Sequence, residues 1–322
     1  MKKLVSLFLS IFVVLGILAA CSNNAEETTA TEKVETSTET SSDQFPVTIQ
    51  DALDQEVVIE KQPERIVSLI PSNTEIAFGL GLGEEIVGVS DFDNYPEEVN
   101  EKEKIGGMEF NVEKIISLKP DLVLAHASSA HNSKDGLDQL RNAGITVLVV
   151  NDAKSFEEVY ESIEMIGKAT GKTKEAEVMI NNMKEKVEEI RTKAKEIQEK
   201  AKVFVEVSPA PDIFTTGKGT FMHEMLEIIN AENAAGDQEG WVQLTEEAII
   251  QLNPDVIVTT YGYYVENPVE QVLSRKGWEN VSAIQNKRVY DVNSDAVTRS
   301  GPRLVEGLEE LASVVYPEVF KK

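Results

Sequence analysis

The 322-residue sequence predicts an α/β protein of two similar lobes joined by one long helix, on three observations. Short runs rich in Val and Ile alternate with helical patterns. One fourteen-residue phrase occurs twice, as VEKIISLKPDLVLA (Val112–Ala125) and EEAIIQLNPDVIVT (Glu246–Thr259). Residues 172–200 hold neither Gly nor Pro and are dominated by strong helix formers.

The first twenty residues carry Lys2 and Lys3, an apolar run from Leu4 to Leu18, and small residues before Cys21. This is the pattern of a secretion signal, and LAAC has the form of a bacterial lipoprotein cleavage site with Cys21 as the lipidated N-terminus. An unprocessed membrane anchor is the weaker reading, because the run is short for a bilayer. Cys21 is the only cysteine, so an exported chain forms no internal disulfide and its core supplies the stability. Residues 21–44, rich in Ser, Thr and Glu, have too little apolar surface to fold and read as a flexible tether. The remainder divides into an N-terminal lobe (45–171), the connecting helix (172–200) and a C-terminal lobe (201–322), a comfortable length for two cores of roughly 130 residues.

Candidate strands lie at RIVSLI (65), EIVGVS (85), DLVLA (121), TVLVVN (146), KVFVEV (202), DVIVTT (255) and RVYDVN (288). They are apolar nearly throughout, as in sheets covered on both faces. Each copy of the repeated phrase reads as a helix, a stop at Pro120 or Pro254, and a buried strand. In the connecting segment Val178, Met179, Met183, Val187, Ile190 and Ile197 recur at helical spacing, and a helix over all 29 residues would span about 42 Å. The net charge of −25 becomes more negative once Lys2 and Lys3 leave with the signal. That balance opposes nucleic-acid binding, keeps the protein soluble, and suits a partner with basic docking points.

The lipoprotein signal, the segment PERIVSLIPSNTEIAFGLGLGEEIVGVSDFDNYPEEV, the doubled phrase and the long helix together resemble the substrate-binding proteins of ABC importers for cobalamin, ferric siderophores and haem. PSNTE, FTTGKGTFMHEML and NSDAVTRSGPRLVEGLEEL are most similar to the cobalamin-binding branch. The resemblance covers about Pro63 to Pro317. It implies two Rossmann-like lobes with the ligand in the cleft between them, and a monomer anchored at the extracytoplasmic face of the cell membrane. The partners implied are a permease dimer with its ATPase subunits, and the cargo is a small metal chelate. No cofactor belongs to the protein itself.

The resemblance also assigns residues. Glu113 and Glu247, equivalent members of the repeat, match glutamates that dock onto permease arginines, although a helix-start glutamate that complements the dipole explains either one alone. Phe92, Phe214 and Trp241 match aromatic positions that pack on a corrin ring. Asp295, Arg299 and Arg303 match the polar end of the site. His126 stands where a cobalamin binder has tryptophan, and GGMEFN at 106 lacks a second one. A cleft histidine can face the metal of haem or a corrinoid, while a place in the surface loop HASSAHN also accounts for it. Tyr261, in the YGYY run after the second copy's strand, is a candidate replacement aromatic.

Catalytic motifs are not found. HEMLE at 223 is HExxE, without the second histidine of a helical zinc site, and GKGT lacks phosphate-loop spacing. A bare-metal binding protein would need converging His and carboxylate ligands, and His126, His131 and His223 are not spaced for a shared site. A lipoprotein that uses its cleft only for sensing stays open on sequence alone.

Overall fold

The computed structural model describes residues 45–320, so the signal segment, Cys21 and the whole tether lie outside the described residues. All seven expected strands form, and they fall into two parallel sheets. In the first the order is Glu103–Lys104, Ile86–Val89, Ile66–Ser68, Leu122–His126, Thr146–Val150. In the second it is Glu232–Asn233, Lys202–Glu206, Val256–Thr259, Val289–Asp291. Both belong to one compact unit.

Alternation along the strands explains why they are apolar on both faces. Leu122 and Leu124 enter one hydrophobic cluster while Val123 and Ala125 enter another. Val256 and Val258 likewise separate from Ile257. The first of these clusters is continuous through both sheets and the connecting helix.

The doubled phrase builds the same joint twice. Ile115 and Ile249 are fully buried beneath their helices, Val112–Leu118 and Glu246–Leu252. Each helix ends on a residue of positive φ, Lys119 (52°) and Asn253 (46°), a left-handed cap that frees the chain to turn into Pro120 or Pro254. The aspartate that follows then fastens the start of the neighbouring strand. Asp121 accepts from the amides of Glu64 and Arg65, and Asp255 from that of Lys202 at 2.9 Å. Repetition of Ile, Pro and Asp is therefore a requirement of this helix-to-strand joint.

The connecting helix is shorter than the sequence suggests, Thr173–Ala194, or about 33 Å. Its buried stripe is Ala176, Ile180, Met183, Val187, Ile190 and Ala194, whereas Val178 is 60% exposed. Nothing in residues 195–200 forbids helix; the end is set by tertiary contact. The last turn tightens as Ile197 donates to Ala194 O at 3.1 Å, and the amide of Asn230 reaches the carbonyls of Ala194 and Ile197. The helix packs on Phe156–Thr170 from one lobe and on Phe221–Ile228 and Leu304–Val315 from the other. A hairpin, Val47–Gln50 with Glu56–Ile59, precedes the first sheet and was not anticipated.

Candidate functional site

In the first sheet the chain leaves Ile66–Ser68 toward one edge, and its other neighbour, Leu122–His126, leads to the opposite edge. Loops diverging from the carboxyl ends of such a strand pair leave a crevice, the usual ligand position in open α/β sheets. A cavity of about 510 Å³ lies there. The N-terminal lobe contributes Ile70, Pro71 and Ser72 after the first strand, His126 and Ser128 after the second, Phe92, and Asp152–Lys154. The C-terminal lobe closes it with Gly219–Phe221, Gly240, Trp241 and Thr298–Ser300.

Trp241 is half exposed (51%) at the start of the strand Trp241–Gln243, which pairs antiparallel with Phe214–Thr216. Phe92 faces the cavity from the other lobe and is 53% exposed. Phe214 is on the ribbon that carries Trp241, outside the cavity lining. His126 is not a surface-loop residue. It ends its strand, is only 4% exposed, and caps the short helix Ala127–Ala130, its Nδ1 accepting from the amide of Ser128 at 3.3 Å. That bond belongs to the tautomer protonated on Nε2, whereas the tautomer protonated on Nδ1 keeps its lone pair on Nε2. Ser128 Oγ, 2.8 Å from Nδ1, is positioned to accept a proton there in the other tautomer. Burial holds the imidazole below its usual pKa, with Asp152 pulling the other way, and so favours the neutral ring.

Four assignments need correction, the first being Phe214, which lies outside the cavity lining. Tyr261 does not reach the cleft: it is 1% exposed and its hydroxyl donates to Glu206 Oε1, with burial the main cause of a strongly raised phenol pKa. The aromatic rings that the same run exposes are Tyr263 and Tyr264, packed edge to face at 4.7 Å. Asp295 and Arg303 do not line the main cavity, and with Arg299 they form a latch between lobes. Arg299 donates to Glu75 Oε1 and to Asn94 Oδ1, each at 2.8 Å, and pairs with Asp295 at 3.0 Å. Asp295 in turn accepts from Asn94 Nδ2. Arg303 stacks over the Tyr95 ring at 4.1 Å and reaches Glu75 Oε1 at 3.4 Å. Burial pushes the Glu75 carboxyl above its ordinary pKa, while both arginines oppose the shift. Of the three predicted polar residues, Arg299 alone touches the main cavity; it also borders, with Asp295, Phe92 and Tyr263, a second recess of about 320 Å³.

Glu113 and Glu247 are exposed second residues of their equivalent helices, capped by Asn111 and Thr245. Ser72, Glu75, Asp152 and Lys154 were missed as site residues. Pro71 at the first helical position was the available signal for a helix start just before Ser72, since proline favours that position. Among the described residues no cluster of three or more His, Cys, Asp and Glu is arranged to hold a metal ion, and no helix is long and apolar enough to cross a membrane.

Residues 66–296 match the periplasmic binding protein family. The chain belongs to that family. It is 54% identical over 324 residues, the full length of both chains, to the ABC transporter substrate-binding lipoprotein YvrC of Bacillus subtilis. A vitamin B12-binding protein of Vibrio cholerae is 29% identical, over 78% of this chain and 88% of its own. Among solved structures, a possible iron-binding protein from Staphylococcus epidermidis superposes with a TM-score of 0.73 at 40% identity, covering 80% of this chain and 100% of the other. The periplasmic haem-binding protein RhuT from Roseiflexus gives 0.72 at 26%, covering 80% and 99%. This periplasmic binding protein is thus a non-enzymatic transport component, a substrate-binding protein of an ABC transporter, and its relatives include proteins named for binding vitamin B12 and haem.

Proposed function

We propose that the protein captures a cobalamin-like corrinoid between its lobes and delivers it to an ABC importer permease. The observation that carries this reading is the cavity wall. Exposed faces of Phe92 and Trp241, one from each lobe, share the cavity with a neutral imidazole at His126. Flat apolar rings with one neutral nitrogen ligand suit a metallated macrocycle better than a sugar or amino acid. Cys21 anchors the chain by lipid at the extracytoplasmic membrane face, and the Ser/Thr/Glu tether lifts the lobes away from it. The protein acts as a monomer. Glu113 and Glu247 meet basic residues of the permease dimer, setting registry and speeding encounter.

A second reading, haem or a ferric siderophore, is favoured by His126 itself, since neutral imidazole is a common iron ligand. Titration of the purified protein with cyanocobalamin, haem and ferric siderophores separates the two. Trp241 lines the cavity, so a ligand bound there quenches its emission. One-to-one quenching by cyanocobalamin is expected. Quenching by haem or a siderophore alone transfers the cargo to the second reading, and no binding of any of them overturns both.

Docking has its own test. Glu113→Ala combined with Glu247→Ala should leave cargo affinity and melting temperature unchanged and abolish uptake by cells. Retained uptake would remove these residues from docking.

A further inference from the structure

The helix Pro71–Gly79 starts at the cavity wall without a side-chain cap. Its N-cap, Ile70, is extended (φ −149°, ψ 145°) and offers no acceptor from its side chain. Pro71 has no N–H, and the Thr74 amide is already bonded to Ile70 O at 3.2 Å. The amides of Ser72 and Asn73 are therefore the first-turn donors that the helix itself does not satisfy.

A second observation lies on the same residue. Ser72 is only 4% exposed, lines the cavity, and its Oγ is buried with no hydrogen-bond partner among the described residues. A buried hydroxyl left unpaired is costly, and the cavity is where a partner fits. The surroundings select the sign of that partner. Arg299 and Lys154 line the cavity against one carboxylate, Asp152. Glu75 lies one turn farther along the helix, with Arg299 and Arg303 on its carboxylate. Since Arg299 is largely committed to Glu75, Asn94 and Asp295, the donors left to the cavity are those of Ser72 and the helix start, with the Lys154 ammonium beside them.

We propose that Ser72 and the N-terminus of this helix form an oxyanion subsite that receives an ionised carboxylate or phosphodiester of the cargo. The inference rests on the cleft being the cargo site. Its chemistry is common to the phosphodiester of a corrinoid nucleotide tail, the propionates of haem and the carboxylates of some siderophores. Hydroxyl and amide donors at a helix start bind such groups, and the helix dipole favours their charge.

The test uses the full chain and its Ser72→Ala and Ser72→Asp variants, each first checked for unchanged circular dichroism. Paired probes differ in their anionic groups: cyanocobalamin against cobinamide, which lacks the phosphodiester with the rest of the nucleotide loop, and haem against its dimethyl ester, in which both propionates are masked. Ser72→Ala should weaken the charged member of whichever pair binds by about tenfold and the neutral member by less than about twofold, with a larger charged-member loss for Ser72→Asp. Equal losses on both members, or no loss on either, overturn the subsite. If neither pair binds, the cargo reading fails on its own, and inorganic phosphate decides the subsite. A rise in melting temperature with phosphate that disappears in Ser72→Asp supports it, and identical responses of wild type and variant overturn it.

Discussion

The two lobes place a pair of central parallel strands side by side at a switch point, and the two pairs end differently. In the N-terminal lobe, Ile66–Ser68 and Leu122–His126 end in small or neutral polar groups, and the crevice between their loops stays open as the cavity. In the C-terminal lobe, Lys202–Glu206 and Val256–Thr259 end beneath an ionic plug. Glu206, fully buried, accepts from the Tyr261 hydroxyl and from both terminal nitrogens of Arg275. The Arg275 guanidinium also lies over the Trp278 ring, 4.8 Å from its centre. Trp278 Nε1 donates to Glu246 at 2.8 Å, beside Glu247. One repeated scaffold thus yields one open and one filled crevice. The N-terminal lobe supplies the floor of the site, and the C-terminal lobe supplies a wall of loops and Trp241.

The most severe way to break this comparison is Arg275→Met, which leaves Glu206 buried without its cation. A loss of about 3–5 kcal/mol is expected in chemical denaturation, whereas adding Glu206→Gln to it should recover most of that loss. A single-variant loss below about 1 kcal/mol would mean that water reaches Glu206 and that the second crevice is not plugged.

On the open side, Trp241→Ala should reverse the pattern. Stability should change by less than about 0.5 kcal/mol, because the residue is half exposed, while cargo affinity falls by about tenfold. Calorimetric titration beside a melting curve checks both.

The smallest effect concerns His126. Its folded pKa lies below the ordinary value of 6.5, so its contribution to stability is fully present above pH 6.5 and is lost as pH falls through the folded pKa. The melting-temperature advantage of wild type over His126→Asn should shrink on acidification from pH 7.5 to 5. An advantage that grows instead would show that the imidazole is charged in the folded state.

Much of the fold was legible because it rests on local chemistry. Val- and Ile-rich runs, apolar nearly throughout, located all seven main strands, and the doubled phrase marked two equivalent joints. The ribbon of Phe214–Thr216 (FTT) and Trp241–Gln243 (WVQ) was not legible, because neither segment sits in a Val- and Ile-rich run like those around the equally short Ile66–Ser68 and Val289–Asp291. In the site, Trp241 and His126 stood out as unusual residues in polar or loop-like surroundings. Ser72 and Glu75 did not, because the segment PSNTE reads equally well as an ordinary helix start.

By itself the sequence determined the alternating strands and helices, the equivalence of the halves and the membership of the family, all carried by residues near in the chain. Tertiary structure alone decided where the connecting helix stops, that Tyr261 is sealed on Glu206, and that Arg299 and Arg303 clasp Glu75 across the lobes. Those outcomes join positions as far apart as Glu75 and Arg303, and the pairing of two charges depends on the solvent each loses, which no local pattern records.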